Sequence, residues 1–299
     1  MNAWFLRGLP ALAAGLSLAS CGGSDSSVGP PPPTPHITID VRFVSNLAVE
    51  RKNYFTAATA KWARALSKDL GDFRLQTPAN DCFPGEPALN ETHHNLLVFV
   101  SVANIDGAGG EIAYTQICGT SSRDLLPVVA HIRLDPLDMD SAEARGVMQG
   151  IVLHELGHAL GFNPDTYIPK SLAAGGSDDP YFTGAAARDE FSKHGAWYTG
   201  LIVPLENQSP VGPRDPHWRY NVFGDEVMAP GVSRGFTSPL STITLGAFKD
   251  LGYEVDYSVA DPYEVRPLFG DNRLVPQARL GHDLIGAHQT RAFSPTINP

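Results

Sequence analysis

Apolar and polar residues follow two periods along this chain, and the elements follow from them. His36 to Ser45 (HITIDVRFVS) alternates the two classes and predicts a strand. From Ala48 to Leu70 the apolar positions Phe55, Ala58, Trp62, Ala65 and Leu66 fall at helical spacing, which predicts a long amphipathic helix stopped by Gly71. Trp62 on that face is expected in the core. Asn95 to Ala103 (NLLVFVSVA) is almost continuously apolar, as a strand covered on both faces should be. Glu111 to Cys118 (EIAYTQIC) is shorter and alternating, the pattern of an edge strand, and Leu126 to Leu134 gives one more strand. Between two of these strands, Asn104 to Gly110 (NIDGAGG) reads as a plain turn. Its Asn, Asp and glycines have the chemistry of calcium ligands, but the twelve-residue EF-hand spacing is absent. A second helix is expected from Asp140, with Glu143 as its capping-box partner, to Leu160, ended by Gly161. The order strand, helix, strands, helix places the chain in the α+β class, with a helix packed on a mixed sheet.

That second helix carries the chemistry. Residues 154–161 read HELGHALG. Four residues apart on a helix, His154 and His158 share one face, where two ring nitrogens can grip one Zn²⁺. Glu155, beside the first histidine, is placed to take a proton from an attacking water. Leu153, Leu156, Ala159 and Leu160 are apolar, so the helix is expected to be buried.

Composition narrows the setting. A chain of 299 residues that is 42% hydrophobic and 18% charged suits one large globular domain or two smaller subdomains. A net charge of −10 disfavours nucleic acid and anionic membrane surfaces as partners. Residues 1–20 combine Arg7 with a short apolar run from Leu9 to Leu18 and predict an export signal rather than a membrane span. Leu18-Ala19-Ser20-Cys21 resembles the lipobox of bacterial lipoproteins, which implies cleavage before Cys21, lipidation of that cysteine, and an outer-membrane or cell-surface location. Residues 21–35 (CGGSDSSVGPPPPTP) then read as a tether, flexible at first and stiffened by prolines. With Cys21 set aside, Cys82 and Cys118 remain, and in an exported chain that even remainder suggests one disulfide.

The third zinc ligand is not where the nearest pattern puts it. HELGHALGF resembles the start of the metzincin signature HExxHxxGxxH, but the position of the last His is Pro164, which has no donor, and Asn163 and Asp165 are out of register. Further on come PLEN (Pro204 to Asn207), His217-Trp218-Arg219-Tyr220 and Gly224-Asp225-Glu226-Val227-Met228-Ala229-Pro230. This order resembles the leishmanolysin family of metzincins, as does the segment Ser241 to Tyr253, and the likeness spans residues 40–257. The resemblance implies a metzincin-type protease with an N-terminal subdomain (36–161) holding the zinc helix. It also implies a smaller, irregular C-terminal subdomain (162–262) with an insertion, His217 as third ligand and Met228 in a Met-turn, followed by a tail (263–299). It further implies one catalytic Zn²⁺, Glu155 as base, and protein or peptide substrates. An extended substrate is expected to add beside the edge formed by Glu111, Ile112, Ala113, Tyr114 and Thr115. His194 is a weaker alternative ligand, while His93, His94 and His131 are expected at the surface or in the core. The competing function is a non-catalytic adhesion module that keeps the fold, and the presence of Glu155 argues against it.

Overall fold

A computed structural model describes residues 37–194, 202–207, 215–232 and 238–265, together with two short strands further on, Ala278–Arg279 and Arg291–Phe293. These residues belong to the second of two units, Thr34–Pro299. The signal, Cys21 and tether expected over residues 1–35 lie outside the described residues, as does most of the tail. Among the described residues no helix is long and apolar enough to cross a membrane.

The chain begins with strand β1 (Ile39–Phe43), helix α1 (Val49–Ala65), β2 (Leu66–Ser67), and the antiparallel hairpin β3 (Asp72–Thr77) and β4 (Leu89–His94). It continues through β5 (Leu96–Val102), β6 (Ala113–Ser121), β7 (Pro127–Leu134), α2 (Pro136–Ala144) and α3 (Met148–Ala159). The main sheet has the order β1-β5-β7-β6, with Arg291–Phe293 added beside β6. β1, β5 and β7 run parallel and β6 runs antiparallel to β7. β5 lies inside the sheet between β1 and β7 with Leu96 to Val100 all buried, which is why its sequence is apolar without alternation.

Helix α1 packs through Phe55, Ala58, Trp62 and Ala65, and the Trp62 indole N–H donates to the carbonyl of Leu153 in α3 at 2.9 Å. The expected continuation to Leu70 is corrected. The helix ends at Ala65 because Leu66 turns extended and pairs, with Ser67, against β12 (Glu254–Val255). The single helix expected from Asp140 to Leu160 is likewise two. Asp135 caps α2 by accepting from Leu137 N, Pro136 opens it, and Gly146 at φ +72° breaks the chain before α3. Glu143 is bound to Arg51 of α1 instead of closing a capping box. Cys82 and Cys118 form a disulfide, with Cα atoms 5.5 Å apart, that ties the β3–β4 connection to β6.

After α3 the elements become short: α4 (Pro164–Tyr167), β8 (Ala173–Ala174), β9 (Tyr181–Phe182), α5 (Ala185–Ser192), β10 (Val203–Pro204), α6 (Tyr220–Phe223), β11 (Gly231–Val232) and α7 (Thr242–Leu251), before β12. Aromatic packing replaces sheet layers here. Phe162, Phe182 and Phe223 surround Trp218, with ring centroids 4.7, 5.6 and 5.3 Å away. The Trp218 indole donates to Thr244 Oγ1 of α7, so the segment that carries His217 is anchored next to it. α5 lies so close to α7 that a Cβ at Gly246 would meet the backbone of Ala186 and Ala187 at 2.8 Å.

Candidate active site

Helix α3 is buried on nearly every side, and it presents His154, Glu155 and His158 to the interior. Gly161, at φ +116°, ends the helix: its N–H bonds to His158 O, and Phe162 N–H to Gly157 O. The chain then turns away at the position where the short metzincin pattern would hold its last histidine. Pro164 opens α4, and Asn163 caps it by accepting from Asp165 N. The third imidazole comes instead from His217, reached after the insertion.

The three rings converge through their Nε2 atoms. Nε2 of His154 lies 2.8 Å from Nε2 of His158 and 3.2 Å from Nε2 of His217. Each ring is fixed from behind through Nδ1. His154 Nδ1 lies 2.5 Å from Val227 O, His158 Nδ1 2.7 Å from Phe162 O, and His217 Nδ1 2.9 Å from Asp215 Oδ1. Carbonyl and carboxylate oxygens only accept, so every Nδ1 carries its hydrogen, and each ring in its neutral form presents a lone pair at Nε2. Three lone pairs facing one another have no proton to share, and a cation between them satisfies all three. Tetrahedral zinc, with nitrogen ligands and a fourth position left open, fits that donor set.

Electrostatics favours the neutral form at the two motif histidines. His154 and His217 are 0% exposed and His158 1%. Burial holds His154 well below the ordinary histidine range, reinforced by His158 and His217, and burial with His217 beside it brings His158 down to about 3. Neutral imidazoles are the ligand form. Burial pushes Glu155 up to about 8, against the opposing hydrogen bond from Thr115. The Thr115 hydroxyl reaches both Glu155 Oε2 at 2.6 Å and Glu155 O at 3.0 Å, while Oε1 is buried without a hydrogen-bond partner.

Met228 lies directly under this helix. A Cβ at Gly157, between the two motif histidines, would stand 2.5 Å from Met228 Sδ and 3.2 Å from Trp62. The turn that carries Met228 is built on the buried Glu226, whose carboxylate accepts from Met228 N, Ser241 N, Ser241 Oγ and Thr244 Oγ1. Trp218 N donates to Met228 O, so the residue after His217 is hydrogen-bonded to the turn that carries Met228.

The remaining described histidines lie elsewhere. His194 sits beside Tyr263 and Glu264, His93 and His94 are on β4 near Arg42 and Asp72, and His131 is stacked on Phe83 in the core, 2.7 Å from Ser101 Oγ. His282 and His288 lie outside the described residues. The expected substrate edge needs correction at its start. β6 begins at Ala113, because Glu111 N–H is taken by Asp106 and Ile112 O accepts from Asp135 N, which holds both residues in the preceding loop. Thr115 points inward to Glu155 and is 1% exposed. Sequence reasoning missed this role of Thr115, and also Asp215 and Glu226. The last two had a signal: each is an acid two residues before a residue of interest, His217 and Met228. Val227 O and Phe162 O had none, because a backbone carbonyl is common to every residue.

Comparison with known proteins gives a consistent picture. The family model described as leishmanolysin matches residues 88–265. Leishmanolysin of Leishmania major is 26% identical over 181 residues, covering 58% of this chain and 29% of that protein. Leishmanolysin of Leishmania donovani is 29% identical over 168 residues, with 54% and 28% covered. The ciliated left-right organizer metallopeptidase of Xenopus laevis is 27% identical over 187 residues, with 55% and 26% covered. The chain thus spans less than a third of the length of these relatives.

Proposed function

The chain belongs to the leishmanolysin family, and from that membership and the three-histidine cluster we propose that it is a zinc-dependent endopeptidase. The observation that carries this reading is the convergence of three Nε2 atoms beside a buried glutamate. His154, His158 and His217 would hold the ion. Bound there by uncharged ligands, zinc supplies a full positive charge that polarises a carbonyl and lowers the pKa of water toward about 7.

The rest of the mechanism belongs to the chain's own groups. Glu155 accepts the proton of the attacking water and delivers it to the departing amine nitrogen. Thr115 fixes Oε2, which leaves Oε1 as the oxygen that takes and gives that proton. Asp215, Val227 O and Phe162 O hold the three imidazoles in one tautomer through the cycle. An extended peptide adds as a strand along Ala113 to Thr115, since among the described residues the second strand beside β6 covers only Gly119 to Ser121. We further propose export and lipid anchoring through Cys21, on the lipobox-like Leu18 to Cys21, which places the domain at the outer membrane or cell surface.

Glu155→Gln tests the mechanism. Gln keeps the shape and a donor for the site but cannot take a proton, so casein cleavage should fall at least about 100-fold while zinc content stays at the wild-type level. A Glu155→Gln protein that cleaves casein at the wild-type rate refutes the assignment.

A further inference from the structure

The loop between β5 and β6, which the sequence presents as a plain turn, faces two more acids. Asp106 of the loop, Asp135 at the N-cap of α2 and Asp138 in its first turn bring carboxylate oxygens within 4.8 Å of one another. Asp135 is 0% exposed and Asp138 5%, while Asp106 is exposed to solvent. Among the described residues no lysine, arginine or histidine forms an ion pair with any of the three. Three like charges in a half-buried pocket repel one another, and the usual remedy, a basic side chain, is not supplied.

Backbone N–H groups take up part of the acceptor capacity. Asp135 accepts from Leu137 N at 2.8 Å and Ile105 N at 2.7 Å, Asp138 Oδ1 from Gly109 N at 2.7 Å, and Asp106 from Glu111 N at 3.0 Å. Burial opposes the charge on Asp135, but its backbone hydrogen bonds outweigh burial and hold the carboxyl below its usual range, in the ionised form. One atom is left over. Asp138 Oδ2 is sealed from solvent and has no hydrogen-bond partner. An ionised carboxylate oxygen can only accept, so a donor or a cation must answer it, and two further carboxylates beside it select the cation.

We propose that Asp106, Asp135 and Asp138 bind one calcium ion, which clamps the β5–β6 loop to the start of α2. The donor set is oxygen alone, which suits a hard cation and excludes a second zinc site of the histidine type. Each carboxylate has lone pairs beyond those used by the backbone, and calcium completes six to eight ligands with carbonyls and waters. The positive end of the α2 dipole opposes a cation, but it amounts to about half a charge against three carboxylates. Asp106, at the surface, provides the path of entry. The clamp acts on the chain immediately before β6, where Glu111 N–H and Ile112 O are already tied to Asp106 and Asp135. Calcium binding therefore fixes the approach to Thr115.

The test uses the full chain, freed of adventitious cations on a chelating resin and then given back one equivalent of zinc. Calorimetric titration with CaCl2 should show one site, and saturating calcium should raise Tm by on the order of 5 °C. Asp138→Asn, which preserves shape and the acceptor for Gly109, should lose both responses while retaining its circular dichroism and its zinc. Asp106→Asn, at an exposed position where folding is not at risk, should weaken calcium at least about tenfold. MgCl2 should give a smaller response than CaCl2. No calcium heat and no Tm shift up to about 10 mM in the wild type overturns the proposal, as do Asp106→Asn and Asp138→Asn proteins that bind like the wild type. A magnesium response equal to that of calcium overturns the choice of ion. None of these readouts depends on proteolysis, so they stand apart from the test of Glu155.

Discussion

At the scale of single residues, the site is defined as much by what holds each group as by the groups themselves. Thr115 is the clearest case. Its hydroxyl hydrogen bond stabilises the charged form of Glu155 and lowers its pKa, against a burial that raises it to about 8. In the proposed mechanism Glu155 is a general base and works deprotonated, so activity is lost as pH falls through its pKa. Removing the hydroxyl with Thr115→Val raises that pKa further, and the acidic limb of the kcat profile should move to higher pH. The rate at neutral pH should drop about tenfold, with little change in KM. A Thr115→Val protein with an unshifted acidic limb contradicts the role given to this side chain. His217 is held in orientation by Asp215, through a carboxylate oxygen 2.9 Å from Nδ1 in a region where both side chains are fully buried.

At the scale of elements, local periodicity was enough wherever an element is defined by its own residues. β5 and β7 are legible in their apolar runs, and α3 in its motif and its terminal Gly161. The break between α2 and α3 was also written locally, in Asp135-Pro136 as cap and first turn and in Gly146 as a left-handed stop, but the capping pattern at Asp140 and Glu143 competed with it. Two features escape the reading by periodicity. Helix α1 stops at Ala65 because Leu66 and Ser67 find a partner strand at Glu254 and Val255, far along the chain. The β3–β4 hairpin was missed because β4 (LNETHH) is largely polar, and its partner β3 buries only Phe73, Leu75 and Thr77 on one face. That hairpin's connection is tied to β6 by the Cys82–Cys118 disulfide, with a sequence separation of 36. Chain-entropy arguments give such a link about 4 kcal/mol. The double variant Cys82→Ala with Cys118→Ala should therefore melt roughly 5–15 °C lower in a thermal scan, and a Tm equal to that of the wild type contradicts it.

At the scale of the whole molecule, the site joins distant parts of the chain into one hydrogen-bonded unit. Val227 O anchors His154, Trp218 N binds Met228 O, and Met228 Sδ occupies the space that Gly157 leaves on α3. Glu226, Ser241 and Thr244 then connect that unit to α7, and Thr244 passes it on to Trp218. This explains why the motif helix alone conveyed two candidate ligands and a candidate base, while His217 and Met228 could be recognised only by resemblance to a family. No periodicity links residues brought together by tertiary packing across an insertion. The most direct test of the account is whether His217 closes the zinc site. Purified wild-type chain should hold one zinc per molecule by elemental analysis, with an X-ray absorption first shell containing three imidazole nitrogens at about 2.0–2.1 Å. His217→Ala should lose one nitrogen from that shell, bind zinc at least about tenfold more weakly and cleave no casein. A His217→Ala protein that keeps its zinc with an unchanged first shell and wild-type activity would contradict the split three-histidine centre.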